Sequence, residues 1–125
     1  MQSDLSVQQA AEKTGLSVHT IRYYERIGLL PPIRRAANGH RRYSKDDLGW
    51  LEFLKCLRAT GMPIAEMQEY VALQSDGAAS LSDRLALLRA HRRRIQRKMQ
   101  ELESFLERLE GKIRYYQDLE SNPTS

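Results

Sequence analysis

Apolar residues recur at helical spacing through most of this chain, and glycine or proline interrupts the pattern at each break. The first periodic segment covers residues 7–14 and ends at Gly15. The second follows Ser17, covers residues 18–27 and ends at Gly28. Two short helices joined by a tight glycine turn predict a helix-turn-helix. Other small helical hairpins share this spacing, so the pattern alone does not decide the function.

A turn and two further helices follow the helix-turn-helix. Asn38-Gly39 is a dipeptide typical of tight hairpin turns, and arginines stand on both sides of it, which predicts a short basic hairpin. Ser44 is placed to cap a third helix that ends near Gly61. Pro63 then opens a fourth helix, since proline is favoured in a first helical turn.

One long helix is predicted from Ser80 to about Ser121, with apolar residues at alternating steps of four and three. This is the heptad pattern of a coiled coil, interrupted only at Arg92. About 40 residues of helix extend roughly 60 Å, and the preceding domain is too small to cover such a rod. We therefore expect a partner helix, with a helix folded back on its own domain as the alternative. The residues assigned to dimerisation are Leu85, Leu88, Ile95, Met99, Leu102, Leu106, Leu109 and Ile113.

The net charge of +4 hides a segregation that favours one orientation of the partner helix. Residues 19–45 hold seven Lys/Arg and one acid, and residues 84–98 hold seven Lys/Arg and no acid. Residues 99–125 hold six acids and three Lys/Arg. An antiparallel homodimer places the basic part of one rod beside the acidic part of the other. Each exposed pair contributes only about 0.3–0.5 kcal/mol, but the preference has one sign along the rod.

Composition excludes several classes of protein. A chain that is 41% hydrophobic and 29% charged is neither disordered nor collagen-like. No apolar stretch approaches membrane-spanning length, and the start of the chain lacks the pattern of a signal peptide. A single cysteine, Cys56, cannot form an internal disulfide and suits a cytoplasmic protein. No nucleophile–base set or phosphate loop is present, so we expect no enzyme and no cofactor.

The basic segment 19–45 points to nucleic acid, because its helix and hairpin offer two adjacent contact surfaces for a duplex. The alternative is a solvated basic face. Aromatic residues at helical spacing pack more often than they read bases, which leaves Tyr24 and Tyr43 ambiguous. The residues assigned to DNA binding are Ser17, His19, Thr20, Arg22, Tyr23, Arg26, Arg41, Arg42 and Tyr43.

Three segments together resemble the MerR family of transcription regulators. Residues 17–31 (SVHTIRYYERIGLLP) are similar to the family's recognition helix, and residues 38–43 (NGHRRY) to its wing, where an aromatic is more usual than His40. Residues 57–64 (LRATGMPI) are similar to its segment between the third and fourth helices. The resemblance covers residues 5 to about 75, and the long terminal helix matches in kind.

The resemblance implies a mostly α-helical protein with a winged helix-turn-helix DNA-binding domain and a C-terminal coiled-coil dimerisation helix. We divide the chain into that domain (1–75), a linker (76–79), the helix (80–121) and a tail (122–125). The implied partners are double-stranded promoter DNA with a pseudo-palindromic site, a second copy of the chain, and RNA polymerase at the same promoter. Arg22 and Tyr23 would touch DNA from the helix and Arg41 from the wing. Members of the family activate promoters by distorting the DNA between polymerase elements, at a cost of several kcal/mol.

The same resemblance argues against a regulator that senses a metal ion through cysteine thiolates. Metal-sensing members carry cysteines at the start of the dimerisation helix and in a C-terminal loop, and no cysteine follows Cys56 here. The histidines, His19, His40 and His91, are scattered and have no ligand spacing. We therefore predict no metal site.

Cys56 is the remaining candidate for a sensor. Residues 50–58 (WLEFLKCLR) are similar to the branch of the family that responds to aldehydes and other electrophiles, where a lone cysteine stands at this place. The alternative is a small buried hydrophobe. Lys55 is adjacent but points elsewhere on the helix. A positive group of the partner, such as Arg92 or Arg93, would have to stabilise the thiolate.

Three functions stay open on the sequence. One is a regulator that senses reactive carbonyls through Cys56, and a second is a regulator of the same fold with another signal or none. The third is a coiled-coil adaptor whose basic head binds acidic proteins. The adaptor predicts weak, salt-sensitive binding of DNA without sequence preference, which footprinting on the promoter beside its own gene would distinguish.

Overall fold

The computed structural model describes residues 4–31, 33, 35–37, 39 and 42–123. This part of the chain is helical, and the described residues contain no β-strand beyond isolated bridges. None of the helices in it is both long and apolar enough to cross a membrane. The prediction of a mostly α-helical fold is confirmed.

The helices of the described residues follow the predicted order and lie close to the predicted bounds. A single turn of 3-10 helix, Gly77–Ser80, precedes the last and longest of them. They are α1 (Val7–Thr14), α2 (Val18–Arg26), α3 (Lys45–Ala59), α4 (Ile64–Gln74) and α5 (Leu81–Ser121).

Side-chain caps and a glycine fix where α1 begins and ends. The hydroxyl of Ser6 accepts a hydrogen bond from the backbone N–H of Gln9, and the Gln9 side chain accepts one from the N–H of Ser6. This capping box satisfies donors that the first helical turn leaves unpaired. Gly15 ends α1 in the left-handed region (φ +77°), where its N–H donates to the carbonyl of Ala11.

The residues up to Arg84 form a compact first unit. Its core lies where α1 packs on α2 and α3, and where α3 packs on α4. The backbone of Tyr43 pairs with that of Leu5 in an antiparallel bridge, with N–H to carbonyl oxygen distances of 2.7 and 2.8 Å. This bridge ties the segment before α3 to the segment before α1. The side chains with no exposed surface are Ala10, Ile21, Leu29, Tyr43, Leu51, Leu54, Met62 and Met67.

Part of the predicted basic hairpin falls outside the described residues, so the wing stays a prediction. Within the described part, the N–H of Gly39 donates to the carbonyl of Ala36 at 2.9 Å, and Gly39 adopts φ +84°. The guanidinium of Arg35 donates to the carbonyl of Gly39 at 3.1 Å. Both hydrogen bonds join described residues of the segment in which the turn is predicted. The residues of this segment that the structure does not describe are Pro32, Arg34, Asn38, His40 and Arg41.

The chain divides into two compact units, one that ends at Arg84 and one that begins at Leu85. The second unit consists of the rest of α5 and the described residues after it. Leu88 and Ile95 are half-buried. The other residues assigned to dimerisation expose between 47% and 59% of their surface, and they are Leu85, Met99, Leu102, Leu106, Leu109 and Ile113.

We expect the Ile21→Ala variant to lose about 2–5 kcal/mol of unfolding free energy, because a fully buried side chain is cut back and leaves a cavity. Urea unfolding followed by circular dichroism measures this loss. The neighbouring exposed residue gives the control, since Arg22→Ala should change the unfolding free energy by at most about 0.5 kcal/mol. Equal stabilities of the two variants would contradict the position of Ile21 in the core.

Candidate DNA-binding surface and cysteine site

Ser17 and Thr20 fix the start of α2, the helix that carries most of the predicted DNA contacts. The Ser17 hydroxyl accepts from the backbone N–H of Thr20 at 3.0 Å and donates to the Thr20 hydroxyl at 2.9 Å. Ser17 is exposed and Thr20 half-buried. Both predicted contacts therefore have a structural role in capping α2.

The two faces of α2 differ in character. Ile21 and Tyr24 are buried against the rest of the first unit. His19, Arg22 and Arg26 are exposed, and steps of three and four residues put them on one face of the helix. Their side chains present hydrogen-bond donors, and the arginines present positive charge. Such a face suits base edges and phosphates.

Tyr23 lies beside this face and is half-buried. The Arg26 guanidinium carbon stands 5.6 Å from the centre of the Tyr23 ring, within cation–π range. The centre of the Tyr24 ring is 6.1 Å from the centre of the Tyr23 ring. These two contacts restrict the positions that the Tyr23 ring can take, and its contact with DNA stays a prediction.

The end of α2 is held by side chains from α3 and α4. The indole N–H of Trp50 donates to the carbonyl of Leu29 at 2.7 Å, and the amide of Gln68 donates to the carbonyl of Ile27 at 3.1 Å. Between them Gly28 adopts φ +83°. Sequence reasoning assigned no role to Trp50 or Gln68. The sequence offered one clue, the tryptophan itself, because an indole N–H that packs against the protein needs an acceptor.

The turn between α1 and α2 is held by Lys55 of α3. Its ammonium donates to the carbonyl of Thr14 at 2.8 Å. A Cβ at Gly15 would stand 2.8 Å from the same nitrogen, but the lysine tip can shift, so it is the positive φ of Gly15 that favours glycine there. Since Trp50 lies on the same helix, α3 contacts the turns at both ends of α2.

Two tyrosines of the basic segment belong to the core. The assignment of Tyr43 to DNA binding is wrong for its side chain, because Tyr43 has no exposed surface and its ring lies inside the first unit. Tyr24 exposes 4% of its surface. Burial raises the pKa of Tyr24 above its usual value of 10, and the positive charge of Arg58 partly offsets the rise. Its hydroxyl therefore stays protonated at physiological pH.

The predicted wing contacts have different outcomes. The Arg42 guanidinium donates to the carbonyl of Asp4 at 2.8 Å and is half-buried, so part of its hydrogen-bonding capacity is used within the unit. Arg41 lies outside the described residues, and its contact with DNA stays a prediction.

Cys56 lies on α3 with an exposed free thiol. The alternative that it is a small buried hydrophobe is therefore wrong for this chain. Lys55, its neighbour in sequence, is directed toward Thr14, in agreement with the expectation that it points elsewhere on the helix. Within the described part of the chain, no group of three or more His, Cys, Asp or Glu side chains could hold a metal ion.

Two family profiles match the chain. The profile of the MerR HTH family regulatory proteins matches residues 5–74, and that of the MerR DNA-binding region matches residues 48–112. Together they include the helix-turn-helix and much of α5.

Relatives and solved structures agree with these profiles. The HTH-type transcriptional regulator AdhR of Bacillus subtilis is 38% identical over 91 residues, which are 73% of this chain and 65% of AdhR. The chain thus spans slightly less than two thirds of that relative. A MerR-family regulator from Listeria monocytogenes is 39% identical with a TM-score of 0.85, covering 90% of this chain and 86% of its own.

A structure of a relative on DNA is also similar. HiNmlR, a MerR-family regulator lacking the sensor domain and bound to promoter DNA, has a TM-score of 0.86 at 32% identity, with coverage of 96% of this chain and 95% of its own. These relatives are transcription regulators, which confirms the expectation that the chain is not an enzyme. The chain belongs to the MerR family of helix-turn-helix DNA-binding transcription regulators.

Proposed function

We propose that this regulator binds a pseudo-palindromic promoter in the cytoplasm as a homodimer, distorts the DNA, and senses reactive aldehydes through Cys56. The observation that carries the DNA-binding part is the common exposed face of His19, Arg22 and Arg26 on a helix held at both ends. In this proposal residues 1–75 bind DNA and residues 80–121 form the dimerisation helix. RNA polymerase binds the same promoter and responds to the distorted DNA.

The exposed stripe of α5 supports the homodimer. A helix cannot bury its own seam, and side chains such as Leu102 and Leu109 each expose 59% of their surface in the single chain. The distribution of charge along α5 favours an antiparallel second copy, as argued from the sequence. A twofold pair of α2 helices then reaches successive major grooves of one duplex, so the operator should have two related half-sites.

Distortion of the promoter requires DNA-binding domains that keep their shape under load. Bending or untwisting a site costs several kcal/mol, which the contacts on both half-sites have to offset. The hydrogen bonds of Trp50, Gln68 and Lys55 support this role, because they limit the movement of α2 relative to α3 and α4. The force that the bent duplex exerts on α2 then does not displace this helix from α3 and α4.

Sensing through Cys56 uses ordinary thiol chemistry. The Cys56 thiol loses its proton, and the thiolate sulfur forms a bond to the carbonyl carbon of the aldehyde. The electron pair of the C=O bond moves to the oxygen, which takes up a proton, so that the product is a hemithioacetal. The exposed thiol supports this proposal, since small carbonyl compounds reach it without any opening of the core.

The position of Cys56 on α3 supports a route from the adduct to α2. Lys55 is the preceding residue and holds the turn before α2, whereas Trp50 holds the turn after it. An adduct that displaces α3 therefore acts on both ends of the recognition helix through direct hydrogen bonds.

We expect Cys56→Ser to leave promoter affinity within about twofold and to abolish induction by formaldehyde or methylglyoxal, because serine keeps the size but not the nucleophilicity of the thiol. Transcription from the promoter and the mass of the intact protein after aldehyde treatment are the measurements. Ala59→Ser, which adds a hydroxyl to an exposed position of the same helix, is the matched control and should respond normally. A response that persists in Cys56→Ser would show that another signal acts on the same fold.

A further inference from the structure

We infer that the first unit contains a binding site for small amphipathic carboxylates, molecules that join an apolar body to one carboxylate group. The site is a cleft of about 490 Å³ whose lining residues all belong to the first unit. This α2–α4 cleft lies between the turn that follows α2, Trp50 of α3, the end of α4 and Arg84 near the start of α5. The site is additional to the proposed function and requires neither the homodimer nor the thiol of Cys56.

The size of the cleft and the apolar part of its lining suit a small molecule. Ligand sites in proteins are clefts of about 300–1,000 Å³ lined mainly by apolar side chains, with a few polar groups that fix the ligand. Removal of an apolar body from water supplies the driving force at such a site. The apolar side chains of this lining are Leu29, Leu30, Pro31, Trp50 and Val71.

Arg84 gives the cleft its charge. It is the one charged residue among the described residues that line the cleft, and its side chain is half-buried. A guanidinium presents its N–H groups in a fork that matches the two oxygens of a carboxylate, and charge-assisted hydrogen bonds of this kind are stronger than neutral ones. The single positive charge in apolar surroundings therefore favours a ligand with one carboxylate. A more highly charged phosphate would lose more of its hydration there.

The Arg84 guanidinium is held in place before any ligand arrives. Its Nε donates a hydrogen bond to the Ser80 hydroxyl at 3.0 Å, and its Nη2 donates to the carbonyl of Gly77 at 2.6 Å. The third nitrogen, Nη1, has no hydrogen-bond partner within the described part of the chain and can donate to a ligand. Because two bonds already restrict the long side chain, a carboxylate that binds it costs little further side-chain entropy.

Backbone carbonyls beside the cleft are occupied by hydrogen bonds from within the unit. The carbonyl of Leu29 accepts from the Trp50 indole at 2.7 Å, and the carbonyl of Ala72 accepts from the Ser75 hydroxyl at 2.7 Å. The carbonyl of Leu73 accepts from the hydroxyl of Ser80. These bonds offset the partial negative charge of oxygens that would otherwise repel a carboxylate. Arg84 therefore dominates the electrostatics of the cleft.

A ligand in the α2–α4 cleft would contact the structure that supports α2. Leu29 lies in the turn after this helix, and Trp50 holds that turn from α3. An occupied cleft adds contacts between the turn, the end of α4 and Arg84, so the ligand stabilises the folded first unit. Cys56 is not among the described lining residues, which separates this site from the proposed thiol chemistry.

Trp50 allows a direct binding measurement on the full-length chain, because it lines the cleft and is the only tryptophan of the sequence. The probe is octanoate, and octanamide is its uncharged counterpart with the same apolar chain. We expect octanoate to change the fluorescence of Trp50 in a saturable way and to bind roughly tenfold more tightly than octanamide. Thermal unfolding of the first unit should shift upward as the octanoate concentration rises.

Two variants test the role of charge in the cleft. Arg84→Gln should weaken octanoate roughly tenfold and remove its preference over octanamide. Since Arg84 also bonds to Ser80, Gln74→Glu provides a second variant that keeps the size of an exposed lining residue and adds a negative charge. It should weaken octanoate roughly tenfold and leave octanamide within about threefold. The control, Ala72→Glu, adds a carboxylate at an exposed position of α4 outside the lining and should leave octanoate within about threefold.

Three results would overturn the site. One is the absence of a saturable fluorescence change up to millimolar octanoate. Another is equal binding of octanoate and octanamide that Gln74→Glu does not alter. The third is octanoate binding that appears only at dilutions where the chain is monomeric, because a second copy would then cover the cleft in the dimer.

Discussion

Replacing Arg22 by alanine should weaken promoter binding at least roughly thirtyfold while the chain stays folded and dimeric. Arg22 is exposed at the middle of the α2 face that also carries His19 and Arg26. Loss of an arginine contact to a base costs about 1–3 kcal/mol, and a homodimer loses the contact at both half-sites. Titration of a fluorescent promoter duplex at fixed ionic strength measures the affinity.

The control for this prediction is Arg108→Ala, which removes the same side chain from an exposed outward position of α5. It should change promoter affinity by no more than about twofold. A second readout separates base contacts from phosphate contacts. If Arg22 reads a base, its loss reduces the preference for the promoter over random DNA, whereas loss of a phosphate contact weakens both alike. Unchanged affinity of Arg22→Ala would remove α2 from the DNA interface.

The helices could be predicted because their boundaries depend on nearby residues. Ser17 caps α2 through Thr20, three residues away, and Gly15 ends α1 through a hydrogen bond to Ala11, four residues away. Interactions over three or four residues can be recognised from the sequence, because both partners belong to the same short segment. The exposed face of α2 followed in the same way from the helical repeat, which separates His19, Arg22 and Arg26 from the buried Ile21.

The supports of the site could not be predicted, since they join residues that are distant in sequence. Lys55 reaches Thr14 across 41 positions, and Trp50 reaches Leu29 across 21. The error at Tyr43 has the same origin. Its neighbours in sequence are basic, but its backbone bridge to Leu5 turns the segment so that the ring enters the core.

Cys56 shows a further limit of the sequence. A lone cysteine in an amphipathic helix is compatible with a buried and with an exposed thiol, because the packing of α1 and α4 decides which face of α3 is covered. The buried positions Leu51, Leu54 and Leu57 define the covered face, and Cys56 falls outside it. The exposure that the sensing proposal needs is therefore a property of the packing.

Replacing Leu102 by aspartate should dissociate the dimer, with a rise of at least roughly a thousandfold in the dissociation constant. In the proposed homodimer Leu102 lies on the apolar seam that faces the second copy, and the twofold axis repeats its contact, so one substitution alters two contacts. Each loses the burial of a leucine, worth about 2–5 kcal/mol, and adds the cost of a desolvated carboxylate. Sedimentation velocity measures the loss of the dimer. Promoter affinity should fall with it, since a monomer contacts one half-site.

The matched control for Leu102→Asp is Gln100→Asp, which adds the same carboxylate at an exposed position that points away from the seam. It should remain dimeric, because the added charge stays in water and removes no apolar contact. Leu102 exposes 59% of its surface in the single chain and lies outside the first unit. The thermal unfolding of that unit, followed by the fluorescence of Trp50, should therefore be unchanged in both variants. A Leu102→Asp chain that is still a dimer at micromolar concentration would show that α5 is not the dimerisation surface, even if the DNA-binding face is assigned correctly.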